Sequence, residues 1–133
     1  MNGLTLAEAQ KALTAALEKA EEIGQPMNIA VVDAGGHLLA FARQDGAIRA
    51  SIDIAQRKAR TSILMNLPTS ALAPLVQPGQ ELYGLEQLSG GMVAFGGGLP
   101  VYRDGELVGA VGVSAGTVDQ DTTVATAAVT ALS

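Results

Sequence analysis

The sequence predicts an α/β fold of the α+β kind: one antiparallel sheet of five strands with helices packed on its faces. Three observations carry that expectation. Helical, 3.6-residue periodicity marks the start, middle and end of the chain. Short apolar runs rich in β-branched residues fill the stretches between. Successive runs are joined by turns too short for a crossover. Strands linked by tight turns run antiparallel, and the helical stripes must then be buried against the sheet.

Thr5-Leu6-Ala7-Glu8 reads as a capping box, in which the Thr5 hydroxyl and the Glu8 carboxylate each take a free backbone N–H. Leu6, Ala9, Leu13, Ala16, Leu17 and Ala20 follow at helical spacing, and Gly24 and Pro26 end that helix. Residues 27–32 and 37–42 are two strands around the turn Asp33-Ala34-Gly35-Gly36. Ser51 begins a second helix, with Asp53 near the positive end of its dipole, Ile52, Ala55, Ala59 and Ile63 on one face, and Pro68 as its stop. A short third helix falls at about 69–76, crowded by Pro74 and Pro78. Residues 92–95 and 99–102 read as strands around Gly96-Gly97-Gly98. Asp104-Gly105 then makes a tight hairpin into a strand over 107–114, whose Gly109 and Gly112 leave room for a close neighbour. Thr117 with Gln120 repeats the capping box and starts a C-terminal helix that ends near Leu132.

Composition removes several classes of function. With 48% hydrophobic and 16% charged residues the chain folds around a core, and residues 1–133 form one domain. The absence of cysteine excludes disulfides, thiolate metal ligands and a cysteine nucleophile. A net charge of −5, no basic cluster and only two Tyr, two Phe and no Trp argue against a nucleic-acid partner. No apolar stretch approaches the length of a membrane span. Met1-Asn2-Gly3-Leu4 lacks a basic region followed by an apolar run, so a cytoplasmic location is expected.

Three blocks carry a resemblance. The segment from Val31-Val32-Asp33-Ala34-Gly35-Gly36-His37 to Arg43-Gln44-Asp45-Gly46-Ala47, the helix Ile52-Asp53-Ile54-Ala55-Gln56-Arg57-Lys58-Ala59-Arg60-Thr61, and the run Gly97-Gly98-Leu99-Pro100 through Ser114 are similar, in this order, to the signatures of the GlcG-like family. That family includes haem-binding HbpS-like proteins and the C-terminal domain of PduO-type corrinoid adenosyltransferases. The resemblance implies a profilin-like three-layer sandwich, a homo-oligomer, and tetrapyrrole binding in some members.

Candidate site residues follow. His37, the sole histidine, is either a strand-end residue satisfying turn carbonyls or a pocket residue, acting as a haem-iron ligand or a general acid/base. Arg43 and Asp45 are either a surface ion pair or an anion site gripping a carboxylate or haem propionate. Lys58 either snorkels from a buried edge or offers a second cation to a pocket. Gly97 and Gly98 read first as part of a tight turn, with contact between their bare N–H groups and a ligand as the alternative. Asp119 and Asp121 read as first-turn helix acids. One histidine cannot supply the usual zinc set. Two functions are therefore expected to compete. The first, which the resemblance implies, is an oligomeric tetrapyrrole (haem or corrinoid) binding protein, with His37 on the metal if haem is bound. The second is a cofactor-independent enzyme that moves a proton on a small anionic metabolite, with His37 and Asp45 catalytic and Arg43 and Lys58 binding. Self-association is expected from the C-terminal helix, which carries no charged residue from Thr122 onward.

Overall fold

The computed structural model describes residues 3–133. The elements run α1 (Leu6–Ile23), β1 (Asn28–Asp33), β2 (Leu38–Arg43), α2 (Ala50–Met65), β3 (Gly98–Arg103), β4 (Glu106–Ser114) and α3 (Val118–Thr130), with 3-10 turns at Thr69–Leu75 and Leu85–Gln87. Both capping boxes form: Thr5 Oγ1 accepts from Glu8 N while Glu8 accepts from Thr5 N, and Thr117 and Gln120 repeat the exchange. Gly24 closes α1 in the left-handed conformation (φ 69°), where a Cβ is penalised.

The sheet is antiparallel in the order β2-β1-β4-β3. Among the described residues it has four strands, not the expected five. The apolar run at 92–95 makes no ladder: Val93 N donates to Thr61 Oγ1 (3.1 Å) and Met92 N to Glu86 O (3.0 Å). With its amides taken by a helix side chain and a loop, that run crosses α2 as an irregular segment. The expected third helix is a 3-10 turn containing Pro74, which cannot donate to a helical ladder.

Alternation along β1 separates two cores. Ile29 and Val31 face the layer of α1 and α3, meeting Ala9, Ala12, Ala16, Ala20, Val124, Ala125 and Ala128. Ala30 and Val32 face α2, meeting Ala55 and Ala59. The result is three layers with the sheet in the middle. The neighbour anticipated at Gly112 is α2 itself, since a Cβ there would lie 2.0 Å from Ala55 O. At Gly109 it is Leu4, whose Cδ1 would lie 2.5 Å from an added Cβ.

A buried ion pair joins the layers. Lys58 Nζ is fully enclosed, donating to Asp121 Oδ2 (2.8 Å) and to Val113 O (2.8 Å), with the Phe95 ring centroid 4.9 Å away. Asp121 Oδ1 accepts from Gly116 N (3.0 Å). Burial pushes the Lys58 pKa down and the Asp121 pKa up, each against the pull of the other. Lys58 therefore ties α2 to β4 and to the first turn of α3.

Two expectations follow. Lys58→Met should cost about 3–5 kcal/mol in denaturant unfolding, because it strands a buried carboxylate. The Lys58→Met/Asp121→Asn double variant should be the more stable of the two, and additive losses would show that the groups do not act as a pair. Glu8 gives the second. The Thr5 N–H is the largest influence on its carboxyl, with partial desolvation opposing and the Thr5 hydroxyl and Arg103 assisting, and the net effect holds the pKa below 4.5. Its contribution is thus present above the unfolded value and lost as pH falls through the lower folded one. Glu8→Gln keeps an acceptor for Thr5 N but cannot ionise, so its melting temperature should fall less steeply than the parent's between about pH 5 and pH 3.

Candidate functional site

A cleft of about 500 Å3 lies between the β1–β2 turn and the outer face of α2, lined by Val32, Gly36, His37, Leu38, Asp53, Gln56, Arg57, Arg60, Ser89 and Gly90. Its size is that of small-molecule and cofactor sites. The turn is set by Asp33, whose Oδ1 accepts the backbone N–H of Gly35 (2.9 Å) and of His37 (3.0 Å). Partial burial works to raise the Asp33 pKa, but those two N–H bonds and the adjacent imidazole outweigh it and hold the carboxyl below its ordinary range. His37 Nδ1 stands 3.4 Å from the same oxygen, its side chain 83% exposed.

The opposite wall is a helical stripe. Asp53, Gln56, Arg57 and Arg60 fall at i, i+3, i+4 and i+7, one face of α2. Arg57 Nε donates to Asp53 Oδ2 (2.6 Å), and its Nη1 donates to Gly90 O and Gly91 O. Arg60 Nη1 donates to Ser89 O (2.6 Å). Each guanidinium carries five N–H bonds, so both retain donors for an anion in the cleft. Neither arginine was singled out from sequence beyond its place in the α2 block that carries the resemblance, although their spacing with Asp53 was the available signal.

The residues singled out from sequence do not gather in one place. His37 lines this cleft, whereas Arg43 and Asp45 line another, of about 590 Å3, with Glu21, Gly24, Gln25 and Gln44. The two clefts sit at opposite ends of β2, about 20 Å apart at 3.3 Å per residue. Lys58 opens to neither, its ammonium being committed to Asp121 and Val113. Asp121, read as a dipole acid, is that buried partner. Gly97 and Gly98 are packed rather than open to a ligand: added Cβ atoms would lie 2.6 Å from Lys58 Nζ and 2.6 Å from Lys58 O respectively. The Gly98 N–H is already given to Thr69 Oγ1 (2.9 Å). A proton-transfer pocket built from His37, Arg43, Asp45 and Lys58 together is thus not assembled within one chain. Met27 and Met92 are buried, and among the described residues no helix is long and apolar enough to cross a membrane.

Comparison with known proteins places this architecture. Residues 4–130 match the family model described as "Haem degrading protein HbpS-like". The chain is 46% identical over 119 residues to an uncharacterized 15.0 kDa protein from the dhaT-dhaS intergenic region of Citrobacter freundii, covering 89% of this chain and 84% of that one. It is 41% identical over 119 residues (89% of this chain) to the corrinoid adenosyltransferase PduO of Salmonella typhimurium, but spans only 35% of that protein's length. The solved structure of a PduOC–haem complex superposes with a TM-score of 0.93 at 38% identity, covering 97% of this chain and 94% of the other. The cores, the turn and the α2 stripe described above are accordingly those of a member of the HbpS-like family, to which this chain belongs.

Proposed function

We propose that the protein binds a tetrapyrrole, and that haem, held in the His37 cleft, is the ligand its side chains suit. The observation that carries this reading is the pairing of the sole histidine with two guanidiniums across one cleft. His37 Nε2 has no hydrogen-bond partner among the described residues, which leaves a lone pair for iron. Arg57 and Arg60 would take the two propionates by charge-assisted hydrogen bonds. Val32 and Leu38 supply apolar wall to the ring. A corrinoid is the less suited occupant, because its peripheral groups are largely neutral amides that make no use of two cations. When bound, haem would supply an iron centre for oxygen or electron chemistry, while the chain's own residues orient it and shield one of its faces. The haem-bound relative of the same fold supports this reading.

Self-association belongs to the same proposal. On α3 the face Thr123, Thr126 and Thr130, with Ala127 and Ala131 beside it, carries no charge and borders a groove with Lys19 and Thr122. A second copy is its natural cover. Ala128, by contrast, is wholly buried in the chain's own core, so charge placed there would test folding and not assembly.

Haemin titration followed in the Soret region tests the ligand. Saturable binding is expected, His37→Ala should lose the histidine-ligated spectrum, and Arg60→Ala should weaken binding by about 1.5–3 kcal/mol. A titration indistinguishable between parent and both variants would place haem elsewhere. Light scattering tests assembly: the parent should have a mass that is a multiple of 13.5 kDa, and Ala127→Glu should lower it. A parent of single-chain mass at micromolar concentration would remove the assembly.

A further inference from the structure

The β1–β2 turn does more for His37 than present it. Asp33 Oδ1 fixes the turn through the N–H groups of Gly35 and His37, and the same oxygen lies 3.4 Å from His37 Nδ1. The imidazole also rests across Gly35. A Cβ on that residue would lie 2.9 Å from Nδ1, 3.0 Å from Cε1 and 3.4 Å from Asp33 Oδ1. Only glycine therefore leaves the ring and the carboxylate side by side. Neutral imidazole has two tautomers, and the one present is set by what the other nitrogen meets. A carboxylate at Nδ1 can only accept, so it selects the form with the proton on Nδ1.

We infer that Asp33 and Gly35 are positioning residues that hold His37 as the Nδ1–H tautomer, with Nε2 left as the metal-binding nitrogen. The inference deepens the haem reading and rests on it only for the identity of the metal. Asp33 raises the electron density that the imidazole offers, as carboxylates behind ligating histidines do, and Gly35 leaves the ring room to lie beside that carboxylate. Neither residue is among those that line the cleft.

The test begins with the protein free of haem. Nitrogen NMR of 15N-histidine-labelled protein, which reads the protonation of each ring nitrogen separately, should show the Nδ1–H tautomer dominating in the neutral ring. Asp33→Asn retains an oxygen for the two backbone N–H groups but loses the charge, so it should still fold, with a modestly lower melting temperature, and shift the population toward Nε2–H. Haemin affinity should fall by about 10-fold or more in the same variant. A parent spectrum dominated by Nε2–H overturns the inference, and that measurement needs no variant to fold. An unmoved tautomer and unmoved haemin affinity in folded Asp33→Asn overturn it as well. If the tautomer behaves as expected but the parent does not bind haemin, the clamp stands and the haem reading falls.

Discussion

The Lys58–Asp121 pair sets the rotation of α2, and the candidate site depends on that rotation. With the ammonium turned inward to Val113 O and Asp121, helical geometry carries Asp53, Gln56, Arg57 and Arg60 to a different face, toward the β1–β2 turn. Rolling α2 by one position would bury an arginine and remove the cleft's cationic wall. The pair is costly to desolvate, and its value lies less in net stability than in admitting only one way to seat the helix. The glycines around it follow from the same constraint: Gly97 and Gly98 leave the space that the lysine and its backbone occupy, and Gly112 lets α2 lie directly on β4.

Much of the fold was legible because its signals are local. The capping boxes at Thr5/Glu8 and Thr117/Gln120, the left-handed Gly24 and the Asp104-Gly105 turn each involve residues within a few positions of one another. The absence of a fifth strand was not legible. The apolar run at 92–95 resembles a strand in composition, but its backbone partners, Thr61 and Glu86, come from a helix and a loop that no local pattern announces.

The site was legible in part. His37, beside a Gly-Gly turn and alone of its kind, drew attention for good physical reason. Asp121 was passed over because an acid in the first turn of a helix is ordinarily explained by the dipole, and its lysine lies 63 residues away. Arg57 and Arg60 stood only within the block that carries the resemblance, and nothing local to α2 announces that residues 89–91 fold over to meet them. Grouping His37, Arg43, Asp45 and Lys58 failed on strand geometry, since the two ends of a six-residue extended strand cannot line one small pocket.

The strand order bears on how the chain is made. Each hairpin closes locally, but the central pair, β1 with β4, joins Asn28 to Ser114 and Asp33 to Gly109, on the order of 80 residues apart. During synthesis β1 stays without its inner neighbour until on the order of 80 further residues have been made. Its run Ile29-Ala30-Val31-Val32, buried on both faces in the finished protein, is then an uncovered apolar edge. The nascent domain is thus most open to aggregation or chaperone capture between the emergence of β1 and that of β4, and the arrival of β4 is the event that ends this exposure.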